Sequence, residues 1–390
     1  MSFLRAARAA LAGQNSCKHV FALLAVILAS FFVSCGGGSR PHNSTPNHNA
    51  YVTLPARGAV ALLRVNGSTG ALALASQTPQ VQGTSPKGLA LLPSKKFLYV
   101  VNSGVNASTI SIFNVGSDGT LTLGSTPIPA GAGADSAVID PSGAFLLVTN
   151  NFSNSVSVYS IDSGSGALAE VAGSPFFANT DPSEIVITPS GKFVYVTNPS
   201  IGMVTGFTFS NGVLTPVPNT PTFSGAGAFG LGLDTSERFL YVANASALNP
   251  LVATVGNVSG FNIDPNTGAL TPVPGSPFTS SLGNGPTALA VDPGGRFVYA
   301  ITSGSSDSVW CFSISSTNGQ LVPVTSSPFS LTAGGLFALI DPTGNYLYVG
   351  SSTGNGVSGF TFNPSTGAPT AISGSPFTTG VPPGKMVLSE

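Results

Sequence analysis

The sequence predicts an all-β protein: a seven-bladed β-propeller of four-stranded antiparallel blades, closed by a C-terminal strand that completes the first blade. Three observations carry that expectation. A strand phrase recurs along the chain, as KKFLYVVNSG, GAFLLVTNNF, GKFVYVTNPS, ERFLYVANAS, GRFVYAITSG and GNYLYVGSST. Its equivalents, marked by Tyr51, Tyr99, Leu147, Tyr195, Tyr241, Tyr299 and Tyr348, lie 48, 48, 48, 46, 58 and 49 residues apart, the length of a propeller blade. The chain also begins its repeats with a second-strand sequence, YVTL at Tyr51, and ends them with a lone first-strand sequence, PPGKMVLSE. The two partial units sum to one blade, and a ring closed in this way leaves no open sheet edge.

Each repeat holds four short runs with strand chemistry. In the unit around Tyr195 they are Glu184–Thr188, Phe193–Asn198, Val204–Phe209 and Val213–Pro218, separated by the turn formers Pro189-Ser190-Gly191 and Asn211-Gly212. Helical periodicity is missing from residues 51–390. Composition agrees: 42% of the residues are hydrophobic and only 7% charged, with 48 Gly and 31 Pro, which suits a large core built with many turns and not long amphipathic helices. A formal net charge of −1 offers no basic stripe for a phosphate backbone, so no nucleic-acid partner is expected.

The first 34 residues read as a lipoprotein-type signal peptide. Arg5, Arg8 and Lys18 precede the apolar run Phe21–Ser34, short for a membrane span but right for an h-region. Phe32-Val33-Ser34-Cys35 resembles a bacterial lipobox, which implies lipid on the Cys35 thiol; Phe32 departs from the usual Leu, and an ordinary signal peptide or an uncleaved anchor are the alternatives. Residues 35–50 are Gly, Ser, Asn and Pro with little to bury, a flexible tether before the propeller at 51–390. The expected product is an extracytoplasmic monomer held to a bacterial membrane by lipid alone. Cys311 is left without a disulfide partner and is expected to pack as a small hydrophobe.

The phrase YVTN (Tyr195–Asn198) and segments such as GFNIDPNTGALTPVPGSPF (Gly260–Phe278) resemble the lactonase-type propeller family, which includes propeller 6-phosphogluconolactonases and YVTN-repeat surface proteins. The resemblance covers residues 51–390. It implies a His, Glu and Arg constellation for lactone chemistry. Glu184 and Arg57 are available, but His19, His42 and His48 all precede the blades, so the departure falls on the activity.

Topology gathers one set of side chains at one mouth of the central channel, because the turn entering each first strand and the turn between second and third strands share a face. Lys385, Lys87, Asp135, Asp181 and Glu184 enter there from the first four blades, with Arg57 from the second-to-third turn of the first. The remaining blades bring GAFGLG, GPTALA and GGLFAL, with Phe229 and Phe337 and no charge. A half-polar, half-apolar mouth fits a binding site for a small molecule, a glycan or a protein. It also fits lactone hydrolysis, with Glu184 as base and Lys385, Lys87 or Arg57 as electrostatic partner. The bland alternative is that these charges are solvated or pair at the rim, and a structural or adhesive surface protein is the third reading of the whole chain.

Asp140, Asp234, Asp292 and Asp341 fall at the opposite face, where Asp hydrogen-bonds turn backbone, and Asn102, Asn150, Asn198 and Asn244 are expected to cap the loops that follow them. No D-x-D-x-D-G, HExxH, GxSxG or phosphate-cradling motif stands out, so no cofactor or metal is expected. The ten or so surplus residues of the longest unit fall in Ala245–Asn257, either a lid over the mouth or a tolerated surface insertion.

Overall fold

Alternating side chains of the repeated strands pack between neighbouring sheets, and the computed structural model resolves them into seven antiparallel sheets. It describes residues 47–79, 85–104, 107–245, 256–279, 285–303 and 307–389. The leader, Cys35, the tether as far as residue 46, and most of the 245–257 insertion therefore lie outside the described residues. The strand that opens the ring starts at His48, so the last three residues assigned to the tether belong to the propeller.

Blade 4 shows the common plan, with strands Ile185–Ile187, Phe193–Asn198, Met203–Ser210 and Val213–Pro216 running from the channel outward. In five blades a short further strand, such as Thr222–Phe223, pairs with the third strand beyond the expected four. Blade 1 closes the ring as its sequence demands. Its inner strand is Met386–Leu388, which pairs antiparallel with Ala50–Val52. Its other strands are His48–Leu54, Ala59–Val65 and Leu72–Gln77.

The recurrent phrase is a set of joints between blades. In GKFVYVTN, Lys192 stacks 4.9 Å from the centre of the Phe193 ring and donates from Nζ to the Pro265 carbonyl of the next blade at 2.7 Å. Phe193 presses on Gly268, whose φ is +74°; a Cβ there would lie 2.5 Å from the ring. The buried Tyr195 hydroxyl donates to the Gly268 carbonyl at 2.8 Å. Tyr51, Tyr99, Tyr241, Tyr299 and Tyr348 repeat that bond to Gly119, Gly166, Gly319, Gly367 and Gly70, always one blade onward. Burial holds the phenols of Tyr51, Tyr99, Tyr195, Tyr241 and Tyr299 above the ordinary tyrosine value, Tyr99 at about 12. Leu147 has no hydroxyl, so blade 3 lacks this bond.

Replacing Tyr195 by Phe leaves the Gly268 carbonyl buried without its donor. Thermal unfolding of Tyr195→Phe should show a loss of about 1–3 kcal/mol, whereas an unchanged melt would deny the joint any share in stability.

The repeated Asp residues take the turn positions expected of them, whereas the Asn residues do not cap the loops that follow but tie the second strand to third-strand side chains and to carbonyls of earlier loops. Asp140, Asp234 and Asp341 accept from backbone N–H groups of the tight turns that follow, and Asp292 pairs with Arg296 at 2.7 Å. Asn102 and Asn150 donate to hydroxyls on the third strand, and Asn198 to the Ala178 and Thr180 carbonyls. Cys311 is fully buried, and burial pushes its thiol up to about 12.

Candidate functional site

The inner strands build the mouth through a defect that they share. In blades 2, 3, 5, 6 and 7 the pairing of the inner strand with the second strand shifts near the mouth, a β-bulge. In blade 7, Gly335 faces Ser351 and Phe337 faces Gly350, so Leu336 has no partner and is turned out. Phe229 and Thr287 occupy the same place in blades 5 and 6, and Lys87 and Asp135 lie in the shifted stretches of blades 2 and 3. Gly384 and Ser183 stand there in blades 1 and 4, just ahead of their inner strands. One residue per blade, together with Pro55 and the side chains of Glu184 and Lys385, lines a cavity of ≈ 300 Å³. A narrower space of ≈ 180 Å³ continues down the channel between Gly230, Ala288, Phe337 and Met386.

The Thr of the repeated phrase locks this rim. The backbone N–H of Glu184 donates to Thr197 Oγ1 at 3.0 Å, and that hydroxyl donates to the Phe229 carbonyl of the next blade at 3.2 Å. Thr149 likewise joins Ser136 N to Ser183 O, at 3.0 and 2.7 Å. Thr53 joins Lys385 N to Lys87 O, at 2.8 and 3.2 Å. Val101, Ala243, Ile301 and Gly350 hold the equivalent places in the other blades and have no hydroxyl. The backbones that carry Lys385, Lys87 and Glu184 are thus tied blade to blade.

The charges at the mouth are spent on one another. Lys385 Nζ, from blade 1, forms an ion pair across the channel with Glu184 Oε2 of blade 4. The other carboxylate oxygen, Oε1, accepts from Ser136 Oγ at 3.2 Å. Lys87 Nζ lies 3.3 Å from Asp135 Oδ1, and Asp135 Oδ2 accepts from Ser183 Oγ at 2.9 Å. Burial by itself would lower the Lys385 ammonium, but the charge and hydrogen bond of Glu184, with Asp135 behind them, hold it above the ordinary lysine value. Opposite these two pairs stand Phe229, Thr287 and Leu336.

Of the residues expected at the mouth, the structure brings together Lys385, Lys87, Asp135, Glu184 and Phe229. Three are placed elsewhere. Phe337 is 4% exposed, turned into the core by the bulge, and Leu336, 44% exposed, takes the mouth position. Arg57 sits at the end of the 3-10 turn Pro55–Arg57, and its guanidinium donates to Gln77 Oε1 at 2.7 Å and to the Gly380 carbonyl at 3.4 Å, outside the cavity. Asp181 accepts from Asn151 Nδ2 and from the Ser200 backbone N–H, which makes it a tie between the turns of blades 3 and 4. Sequence reasoning missed Ser136, Ser183, Thr287, Leu336, Gly384 and Pro55. A one-residue alignment of the inner strands on Asp135 and Phe229 would have found the rim members among them. Among the described residues, no three His, Cys, Asp or Glu side chains group as metal ligands.

No curated protein matches the chain. Among solved structures, a candidate 6-phosphogluconolactonase from Bacteroides uniformis superposes with a TM-score of 0.74 at 19% identity, covering 88% of this chain and 100% of that one. A second, from Bacteroides fragilis, gives 0.72 at 21% identity over 90% and 100%. The periplasmic gluconolactonase of Pseudomonas aeruginosa gives 0.71 at 18% identity over 88% and 99%. At these identities the likeness is one of fold. The family model described as "Lactonase, 7-bladed beta-propeller" matches residues 24–176, 170–280 and 256–382. The chain belongs to that family.

Proposed function

We propose that this lactonase-family propeller is an extracytoplasmic, lipid-anchored binding protein that takes a small organic ligand at the mouth of its channel without turning it over. The observation that carries this reading is the state of Glu184: both carboxylate oxygens are engaged, one by Lys385 and the other by Ser136 Oγ. A general base must be positioned on the water that it deprotonates, and these two contacts hold the carboxylate on Lys385 and Ser136. The cavity volume, the mixed wall and the few converging polar groups are those of a ligand pocket. His48 opens the strand His48–Leu54 at the end away from the mouth-lining Pro55, so among the described residues no imidazole stands beside the engaged carboxylate.

Lactone hydrolysis is the second reading, favoured by the family to which the chain belongs. There Glu184 would accept a proton from the attacking water and Lys385 would steady the oxyanion, which requires the pair to part. The purified chain and Glu184→Gln are the test, with glucono-1,5-lactone and its 6-phosphate as substrates. Turnover no faster than spontaneous hydrolysis is expected from both proteins. Turnover by the parent that Glu184→Gln abolishes without changing its melting temperature would establish the enzyme instead.

The anchoring half of the proposal rests on the lipobox-like Phe32–Cys35. Cys35→Ala should move the protein from the membrane fraction to the soluble fraction; retention in the membrane would rule out the lipid.

A further inference from the structure

We propose that the mouth selects an uncharged, polyhydroxylated ligand and rejects its phosphorylated counterpart. The inference rests on the mouth being the binding site. It comes from the charge arrangement there, which is balanced pair by pair.

Each ammonium that lines the cavity already faces a carboxylate, Lys87 with Asp135 and Lys385 with Glu184. Those carboxylates also draw hydroxyl donors from Ser183 and Ser136. The rest of the wall, Phe229, Thr287 and Leu336, is neutral. Arg57, on the same face, is held outside the cavity by Gln77 and Gly380. A phosphate monoester would enter with a charge of about −1.5 to −2 at neutral pH. To reach either ammonium it must displace a carboxylate or lie against one, and like charges at that range repel.

A neutral sugar meets no such penalty. An ammonium has three donors and a carboxylate about four acceptor sites, so each pair keeps hydrogen-bonding capacity for hydroxyl groups. The exposed Phe229 and Leu336 side chains offer an apolar surface for the C–H face of the ring, at 38% and 44% exposure. This preference sets the chain apart from the phosphorylated-sugar chemistry in the names of two of its structural neighbours.

The test frees one ammonium at a time. Binding of glucose and of glucose 6-phosphate is measured by calorimetry at low ionic strength for the parent, Asp135→Asn and Glu184→Gln. Both substitutions are near-isosteric, and unchanged melting temperatures check the fold. The parent should bind glucose 6-phosphate no more tightly than glucose. Each variant should gain about tenfold or more in affinity for the phosphate ester alone, and that gain should fade as salt is added.

A further substitution, Lys87→Met in the Asp135→Asn background, should cancel the gain and so place it at the mouth. If the parent prefers glucose 6-phosphate, or if neither variant gains affinity for it, the proposal is overturned. If both variants gain the phosphate ester while the parent binds no member of a neutral-sugar panel, charge exclusion stands and the binding reading of the mouth falls.

Discussion

Deleting Lys385–Glu390 is expected to abolish the stable monomeric ring. Among the described residues, the inner strand Met386–Leu388 completes blade 1 by pairing with Ala50–Val52. Without it the second strand of that blade becomes an inner edge with unpaired N–H and C=O groups, the arrangement that recruits other chains. Met386 also leaves the core cluster that it shares with Val52, Leu54, Phe337 and Tyr348. Its burial contributes about 1.5–3 kcal/mol, a sizeable part of the net stability of a domain. Size-exclusion chromatography and thermal unfolding read the outcome. Aggregation or a large fall in melting temperature is expected, and a truncated monomer that melts with the parent would refute closure by this strand.

Restoring the family phrase in blade 7 should do harm. Gly350 stands where Thr197 stands in YVTN, and the Phe337 ring lies over it: a Cβ at Gly350 would be 1.9 Å from Phe337 Cε1. Gly350→Thr therefore forces a core side chain off its rotamer, at a cost of about 1–3 kcal/mol or more. Phe337→Ser alone opens a cavity and should lose about 3–5 kcal/mol, the range for large-to-small core changes in aromatics. The pair together recreates the arrangement of blade 3, where Ser136 sits beside Thr149. The double variant should be more stable than the sum of the two single losses predicts, by at least about 1 kcal/mol in chemical denaturation. Strict additivity would show that Phe337 and Gly350 do not share one space.

That pair also explains why part of the site escaped the sequence. Phe337 was expected at the mouth because GGLFAL carries one aromatic, just as GAFGLG carries Phe229. The two aromatics differ by one place in register, and in a strand one place reverses the face. Phe229 falls in the bulge of its inner strand and Phe337 just after it. The bulge recurs in blades whose second strand offers Val101, Thr149, Ala243, Ile301 or Gly350, and which of two adjacent side chains it turns out follows from the pairing register. Arg57 and Asp181 were expected at the mouth from their turns alone. Their side chains instead found partners at the outer rim, Gln77 for Arg57 and Asn151 with Ser200 for Asp181.

The phrase that repeats was legible almost residue by residue as a brick. Its Lys or Arg, its Phe and its Tyr all act on the following blade, through contacts that depend on the repeat period and recur from blade to blade. Its Thr and Asn are of another kind. Thr197, Thr149 and Thr53 hold the inner-strand backbone from which the mouth residues project, a role visible only once neighbouring blades are in place.

By itself, the sequence determined the blade count, the strand order and the closing strand. These follow from local alternation, turn residues and a fixed period between elements adjacent along the chain. Only the tertiary structure decided which mouth residues face the channel and how their charges are paired. Lys385 and Glu184 are 201 residues apart and meet only because closing the ring brings blades 1 and 4 to opposite sides of one narrow channel. In that confined space two ammoniums and two carboxylates minimise their energy by pairing, and the pairing, which no local pattern encodes, leaves the mouth neutral.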